Sequence, residues 1–233
     1  MKRPRVIANF ALTADGKIST RNHTPTGFTQ PADKRRLQVI RALGDALIVG
    51  AGTVAADTMS MRLSAKDLRE EREGRGASSE PLRVIVTNRG KLDPEGKVFQ
   101  KGGAPRVIFS TRRMPEKIRA ALAPLADLWL FDAETVDLSA ALQILRTDYR
   151  VRTLVCEGGP TLFRSFLKIG AVDELRLTWA SVIFGGAAAP TLTGLPGDFL
   201  PKTLHARLLK MEPGEGECYL TYRLAQTALE STL

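Results

Sequence analysis

The chain has 233 residues, 43% of them hydrophobic, and carries a formal charge of +9 with a pI near 9.9. This length and composition are typical of a globular protein with one large domain or two small ones. No apolar stretch approaches the roughly 20 residues that span a bilayer, and the basic N-terminus lacks a signal-peptide cleavage site. We therefore expect a cytoplasmic protein that does not bind membranes.

The cysteines and histidines exclude several classes of active site. Cys156 and Cys218 lie far apart without a CxxC pair, which argues against a disulfide scaffold or a zinc site. His23 and His205 are isolated, so a Ser-His-Asp triad is poorly supported. We expect no bound metal.

The positive charge favours anionic partners, either nucleic acid or phosphorylated small molecules. Aromatic residues make up only 6% of the chain, and the basic residues are spread along it. Because nucleic-acid binders usually concentrate basic and aromatic side chains, we expect a phosphorylated small molecule and no nucleic acid.

The first half of the chain begins with an apolar strand over 5–12, followed by a long polar loop over 13–30. Pro31 opens an amphipathic helix that Gly44 closes. A second strand over 45–49 runs into a glycine-rich turn over 50–54. The charged segment 64–80 is predicted to be a mobile surface excursion.

The second half repeats the strand–helix alternation. Strands are predicted over 82–87, 105–110, 127–131, 152–156 and 174–179, and helices over 114–122, 138–145 and 161–167. Two of these strands end in a hydroxyl residue followed by arginine, namely Thr87 with Arg89 and Ser110 with Arg112 and Arg113. Segments 203–211 and 218–224 flank a Pro-Gly turn over 212–216 and predict a β-hairpin.

This order predicts an α/β fold with a mostly parallel central sheet, helices on both faces and a C-terminal antiparallel hairpin. We expect one domain over residues 1–233. Ligands of such sheets bind beyond the carboxyl ends of the strands, so the glycine turns and the hydroxyl–arginine pairs should converge there.

The turn after the strand at 152–156 is the strongest local signal. Gly158 and Gly159 are followed by Pro160, which suits the first position of a helix. The amides at such a helix start bind anions and indicate a phosphate-bearing cofactor. An ordinary tight strand–helix connection is the alternative. The GxGxxG fingerprint of NAD-binding folds is absent, since Gly50-Ala51-Gly52 continues as Thr53-Val54-Ala55.

Five segments, in order, resemble the reductase domain of the bacterial riboflavin-biosynthesis deaminase-reductase, a relative of dihydrofolate reductase. They are Thr13-Ala-Asp-Gly-Lys17, Arg41-Ala-Leu-Gly-Asp-Ala-Leu-Ile-Val-Gly50, Gly52-Thr-Val-Ala-Ala-Asp57, Glu157-Gly-Gly-Pro-Thr-Leu162 and Val172-Asp-Glu-Leu175. The resemblance that they carry extends over nearly the whole chain. The zinc signature of the family's deaminase half is absent.

The resemblance implies a dihydrofolate reductase-like three-layer fold, NADPH as cofactor and a homodimer. The family reduces the ribosyl group of 5-amino-6-(5-phosphoribosylamino)uracil, or of the diamino-pyrimidine analogue, to ribityl. Two alternatives are an NADPH-dependent reductase of a different small imine or pterin, and a non-catalytic nucleotide-binding protein.

The resemblance also assigns roles to residues. Cofactor contacts fall on Ala11, Gly27, Thr53, Asp57, Gly158, Gly159, Pro160, Thr161, Leu162, Phe163, Arg164 and Ser165. Substrate contacts fall on Arg41, Met61, Arg62 and Glu157. Asp57 is the candidate catalytic proton donor, or a ribose contact. A buried Glu157 would accept hydrogen bonds from the pyrimidine.

Three assignments have alternatives. Thr53 fits a helix N-cap as well as a cofactor contact. Arg41 fits a solvated helix-end cation as well as a phosphate ligand. For the 2′-phosphate of NADPH we favour one of two clusters. The favoured cluster is Thr87, Asn88, Arg89 and Lys91, and the competing one is Ser110, Arg112 and Arg113.

The chain departs from the family pattern beside the substrate. After Asp57 the family's proline is missing, and Arg62 is the only nearby arginine, two places early. Pro25 aligns with the family's serine, and Gly27 replaces an aromatic residue. The exact pyrimidine is therefore left open.

Overall fold

The computed structural model describes residues 3–20, 22, 27–57, 60–100, 102–194 and 203–225. Within them the strands are β1 Arg5–Thr13, β2 Ala46–Gly50, β3 Leu82–Val86, β4 Arg106–Thr111, β5 Asp127–Phe131, β6 Thr153–Cys156, β7 Glu174–Ala180, β8 Ala206–Gly214 and β9 Glu217–Leu224. The helices are α1 Pro31–Leu43, α2 Ala51–Asp57, α3 Lys66–Gly74, α4 Glu116–Leu122, α5 Leu138–Thr147 and α6 Pro160–Lys168. Of these helices, none is long and apolar enough to cross a membrane.

The chain divides into two compact units. The first comprises residues 1–4 and 38–155, and its strands lie in the order β5-β4-β3-β2-β6. Neighbouring strands from β2 to β5 are parallel, with Gly50 opposite Val86 and Val86 opposite Phe109. Their apolar runs are buried because helices cover parallel strands on both faces; Ile48, Ile85 and Ile108 are at most 1% exposed.

The second unit comprises residues 5–37 and 156–233, with strands in the order β1-β7-β9-β8. β1 pairs with β7 in parallel, and β9 pairs with both β7 and β8 in antiparallel fashion. The predicted α/β class, with a mostly parallel sheet and a closing hairpin, is thus confirmed. β8 begins and ends three residues later than the predicted 203–211, β9 begins one residue earlier than predicted, and Glu215 and Gly216 separate them. The single domain over 1–233 stays a prediction.

The segment 64–80 is not the mobile excursion that its composition predicts, and that interpretation was wrong. It contains α3, which buries Leu68 against Ala42 and Leu63. The Arg72 guanidinium, 2% exposed, donates to the carbonyls of Ala42 (2.8 Å) and Gly44 (2.6 Å) at the end of α1. A charged side chain is therefore buried here because it satisfies helix-end carbonyls that have no other partner in α1.

Three aspartates of the family-like motifs hold backbone segments together. The Asp45 carboxylate accepts from the amides of Arg152 (2.8 Å) and Thr153 (2.9 Å) at the start of β6. Asp173 accepts from the Val6 amide at 2.7 Å, which joins the starts of β7 and β1. Asp15 accepts from the Gly185 amide at 2.8 Å, in the loop beyond β7. These motif carboxylates therefore fix the chain path.

Candidate functional site

The carboxyl ends of β2, β3 and β4 lie side by side in the first unit. The Gly50–Val86 and Val86–Phe109 pairs place the starts of the following segments at one edge. The Thr87 amide donates to the Phe109 carbonyl at 3.0 Å, and Thr111 Oγ1 donates to the Asn88 carbonyl at 2.7 Å. Within this unit the glycine turn and both hydroxyl–arginine clusters converge as expected.

Thr53 and Asp57 lie on α2, directly after β2. Because α2 begins at Ala51, Thr53 is the third residue of the helix, and the N-cap interpretation of Thr53 was wrong. The side chain of Asp57 lies outside the described residues, so its catalytic role stays a prediction. Gly52 on the same helix has no atom within 4 Å of an added Cβ, so its missing side chain leaves open space beside Thr53.

Two cations in the first hydroxyl–arginine cluster are available to a ligand. Thr87 Oγ1 accepts from the Gly90 amide at 3.1 Å, and Asn88 Oδ1 accepts from the Val136 amide at 3.0 Å. These two side chains therefore shape the loop. Arg89 and Lys91 are exposed, and neither has an ion-pair partner in the part of the chain that the structure describes.

The competing cluster is already paired. Ser110 is fully buried, and its hydroxyl has no hydrogen-bond partner among the described residues. Arg112 lies 3.8 Å from the Asp132 carboxylate, and Arg113 pairs with Glu134. An anion would have to displace these carboxylates, whereas no carboxylate pairs with Arg89 or Lys91 among the described residues.

The predicted substrate residues of the first unit cluster around the end of α1. Arg41, 7% exposed, donates to the Arg62 carbonyl at 2.8 Å. Met61 is 1% exposed and has a φ of 54°, a left-handed conformation that is rare outside glycine. The Arg62 guanidinium binds the Glu80 carboxylate at 2.9 Å. The structure brings these three residues together, and their contact with substrate stays a prediction.

The glycine turn of the second unit leads into α6 as the sequence predicts. Gly159 caps the helix and Pro160 occupies its first position. The first helical hydrogen bond runs from the Phe163 amide to the Gly159 carbonyl at 3.1 Å, so the amides of Thr161 and Leu162 precede the helical ladder. Thr161 is exposed. This helix start has the donors that a phosphate requires.

The other residues assigned to this turn differ in how deeply they are buried. Leu162 and Phe163 are 6% and 1% exposed, and the Phe163 ring packs 4.9 Å from that of Phe10. Their side chains belong to the core, so only their backbone can face a ligand. Arg164 is 9% exposed, and Ser165 Oγ donates to the Thr161 carbonyl at 2.9 Å. Glu157 is half-buried before the turn.

Ala11 and Gly27 complete the predicted cofactor residues. Ala11 lies on β1 opposite Thr178 of β7 and is half-buried. Gly27 is exposed after β1, and no atom lies within 4 Å of the position of a Cβ. Pro25 lies outside the described residues.

A polar network in the second unit escaped the sequence analysis. Thr178 Oγ1 on β7 donates to Asp33 Oδ1 at 2.5 Å and accepts from Arg36 Nη1 at 3.1 Å. The Arg36 guanidinium lies 5.0 Å from the centre of the Tyr219 ring. Burial, and then the Glu217 carboxylate, raises the pKa of Tyr219 to about 12. The signal was the spacing of Asp33 and Arg36, which places both on one helix face.

The described residues contain no group of three or more histidine, cysteine or acidic side chains that could hold a metal ion. Burial raises the pKa of the Cys156 thiol to about 12, which makes it unreactive.

Comparison with known proteins identifies the family. Residues 4–217 match the model of the RibD C-terminal domain. A 2,5-diamino-6-ribosylamino-4(3H)-pyrimidinone 5′-phosphate reductase from Archaeoglobus fulgidus is 34% identical over 190 residues, which cover 82% of this chain and 86% of the relative. The enzyme of the same name from Aquifex aeolicus is 31% identical over 216 residues, covering 89% and 91%.

The fold is also similar to that of a solved relative. The crystal structure of a pyrimidine reductase-like protein from Corynebacterium diphtheriae superposes with a TM-score of 0.81 at 20% identity, covering 95% of this chain and 92% of that one.

Proposed function

Because this chain belongs to the RibD C-terminal domain family, we propose that it is an NADPH-dependent reductase of riboflavin biosynthesis. Its substrate is 5-amino-6-(5-phosphoribosylamino)uracil or the diamino-pyrimidine analogue, and the ribosyl group becomes ribityl. The observation that carries the proposal is the extent of the match. The archaeal and Aquifex reductases are covered over 86% and 91% of their length, so the likeness spans nearly a whole stand-alone reductase.

The residues of the second unit fit the diphosphate of a dinucleotide. The amides of Thr161 and Leu162 precede the helical ladder of α6, and the helix dipole adds positive potential there. Glu157 precedes the turn and accepts hydrogen bonds from the N–H groups of the pyrimidine.

We assign the binding of the 2′-phosphate and the proton transfer to residues of the first unit. Arg89 and Lys91 hold the 2′-phosphate, which distinguishes NADPH from NADH. NADPH supplies the hydride when it is bound. As the bond between the glycosylamine carbon and the ring oxygen of the substrate breaks, Asp57 or an ordered water would donate a proton to that oxygen, which leaves an iminium carbon able to accept a hydride.

A turnover assay tests the function. NADPH oxidation is followed with the phosphoribosylamino-pyrimidine and with dihydrofolate in parallel, and we expect turnover with the pyrimidine. Turnover with dihydrofolate alone would instead assign a pterin reductase. DNA binding that weakens with salt, without NADPH binding, would overturn the oxidoreductase assignment.

Two variants test the residue roles. Gly159→Asp places a negative charge at the start of α6 and should weaken NADPH binding at least tenfold, or about 1.4 kcal/mol, measured by fluorescence titration. Gly159→Ala adds a Cβ without charge and is the matched control. Asp57→Asn should keep NADPH binding and lower kcat sharply; unchanged turnover would remove Asp57 from the mechanism.

The oligomeric state and location belong to the same proposal. Leu208, Leu209 and Met211 are 48%, 39% and 63% exposed on β8, the last strand of the second unit's sheet. An exposed apolar edge strand of this kind supports a homodimer. Light scattering of the wild type and of Met211→Lys measures the state. The free cysteines Cys156 and Cys218 support a cytoplasmic location, which cell fractionation tests.

A further inference from the structure

A cavity of about 500 Å³ opens at the amino ends of β3 and β4, within the first unit. Its lining includes Arg62, Arg69, Ser79, Glu80, Gly103 and Pro105. Thr87, at the other end of β3, is four residues from Arg83, which is about 13 Å along a strand. This cavity is therefore separate from the cluster of Arg89 and Lys91.

The cavity wall carries an excess of positive charge. Arg62 and Arg69 line the cavity, and the buried Arg83 packs behind Gly103 of its wall, whereas the lining holds a single carboxylate, that of Glu80. Glu80 binds Arg62 at 2.9 Å and Arg83 at 3.0 Å, so one negative charge serves two buried or half-buried cations. Burial lowers the pKa of Arg106, and the charges of Arg83 and Arg62 lower it further. An anion in the cavity would relieve this repulsion.

Several hydrogen-bond donors at the cavity have no protein acceptor. Behind the wall, Arg83 is 1% exposed and its Nε is buried without a partner in the part of the chain that the structure describes, so Arg83 contributes charge and no hydrogen bond to a ligand in the cavity. Arg69 uses only Nη1, toward the carbonyls of Leu63 and Ser64. Arg62 uses Nε and Nη2, and the Ser79 hydroxyl has no partner among the described residues. Unused guanidinium and hydroxyl donors are the groups that bind a phosphate.

Gly103 brings the buried charge to the cavity wall. A Cβ on Gly103 would lie 1.6 Å from Arg83 Nη2, and its φ of +79° also favours glycine. The Arg83 guanidinium therefore packs directly against this backbone. A side chain at position 103 would push the guanidinium away from the cavity.

We propose that this cavity binds the phosphate group of a small molecule, at a site separate from that of the reductase reaction, so that Arg62 serves this cavity instead of the substrate contact that the family resemblance implies. Arg69 and Arg62 donate to the phosphate oxygens through their unused nitrogens, Ser79 donates through its hydroxyl, and Arg83 contributes charge. Inorganic phosphate and a phosphomonoester share this chemistry. The phosphomonoester fills more of the cavity and should bind more tightly.

Calorimetric titration of the full chain at constant ionic strength tests the site, with inorganic phosphate and glycerol 3-phosphate as probes. Arg69→Met should weaken binding of both probes about tenfold, the loss of one charge-assisted hydrogen bond. Lys66→Met is the matched control, because it removes a cation from the same helix at a side chain that is 81% exposed. Equal binding by the two variants would overturn the proposal.

A second variant separates a binding role from a structural one. Glu80→Gln removes the carboxylate that competes with the phosphate for the arginines, so it should tighten phosphate binding severalfold. If Glu80 only held the arginines in place, the same substitution would weaken phosphate binding. Binding weaker than wild type in a Glu80→Gln protein that still unfolds cooperatively overturns the proposal. Inhibition of pyrimidine turnover by inorganic phosphate that is competitive with the pyrimidine would also overturn the proposal, because it would place the phosphate in the reductase site.

Discussion

Each unit has a glycine turn between a strand and a helix, and the glycines there have different surroundings. At Gly158 a Cβ would lie 2.6 Å from Leu162 Cδ2, and Leu162 is only 6% exposed. At Gly52 an added Cβ meets no atom within 4 Å. The turn before α6 is therefore closed by packing, whereas the turn before α2 is open.

The polar interactions of the two units differ as well. β2, which carries the open turn, follows a backbone segment held by the buried guanidinium of Arg72. The second unit uses hydroxyl and carboxylate groups on β7 and α1, with Thr178 between Asp33 and Arg36. Each of these interactions can be tested by its own substitution.

The largest expected effect is at the support of the open turn. Arg72→Met removes a buried donor from the carbonyls of Ala42 and Gly44, and although Ala42 keeps a second donor in Arg75, we expect a loss of about 3 kcal/mol in the free energy of unfolding. Urea denaturation measures it. Arg119→Met is the control, because its pairing with Glu116 is on the surface and should contribute less than about 1 kcal/mol. Similar losses in both variants would contradict the buried role of Arg72.

The next effect concerns the closed turn. Gly158→Ala should cost about 2 kcal/mol of stability, because the buried side chain of Leu162 has little room to move. It should also weaken NADPH binding at least fivefold, since α6 begins two residues later. Thermal unfolding and fluorescence titration measure the two effects. A variant as stable as the wild type would show that this turn relaxes freely.

A smaller effect of opposite sign is expected at the open turn. Gly52→Ala should stabilise the protein by about 0.5–1 kcal/mol, because alanine favours a helix and nothing obstructs its Cβ. NADPH affinity should change less than about threefold, within about 0.7 kcal/mol. Destabilisation by this substitution would remove the contrast between the two turns.

The smallest effect is the pH dependence of the second unit's polar network. The pKa of Tyr219 is raised to about 12, above the usual value of 10. The neutral phenol therefore contributes stability below pH 10 that is lost as the pH rises from 10 toward 12. Ultraviolet titration of tyrosinate should show a late-ionising group that Tyr219→Phe removes. If Tyr219→Phe instead removed a tyrosine that ionises at a lower pH, the raised pKa of Tyr219 would be contradicted.

Local patterns predicted most of the secondary structure correctly. Buried apolar runs bounded by glycine and proline produced the strands and the start of α6, since both depend on short-range chemistry. The ordered motifs led to the right family because their spacing reflects the chain path. Asp15, Asp45 and Asp173 show why, since each holds two backbone segments together.

Segment 64–80 shows where local patterns fail. Its charge indicates a solvated loop, yet Arg72 is buried because carbonyls 28 and 30 residues earlier need a donor. The arginine cavity around Glu80 was missed for the same reason, since its arginines lie on separate elements. The network of Asp33, Arg36 and Thr178 likewise joins residues more than 140 positions apart.

The amino-acid sequence by itself determined the order of strands and helices, the glycine turns and the family, because these follow from neighbouring residues and from motif spacing. Only the tertiary structure decided which arginines are buried, which cations stay exposed and which glycine is held by packing. The physical reason is that burial and pairing depend on partners distant in the chain. The free energy of a buried charge is set by those partners, not by its neighbours in sequence.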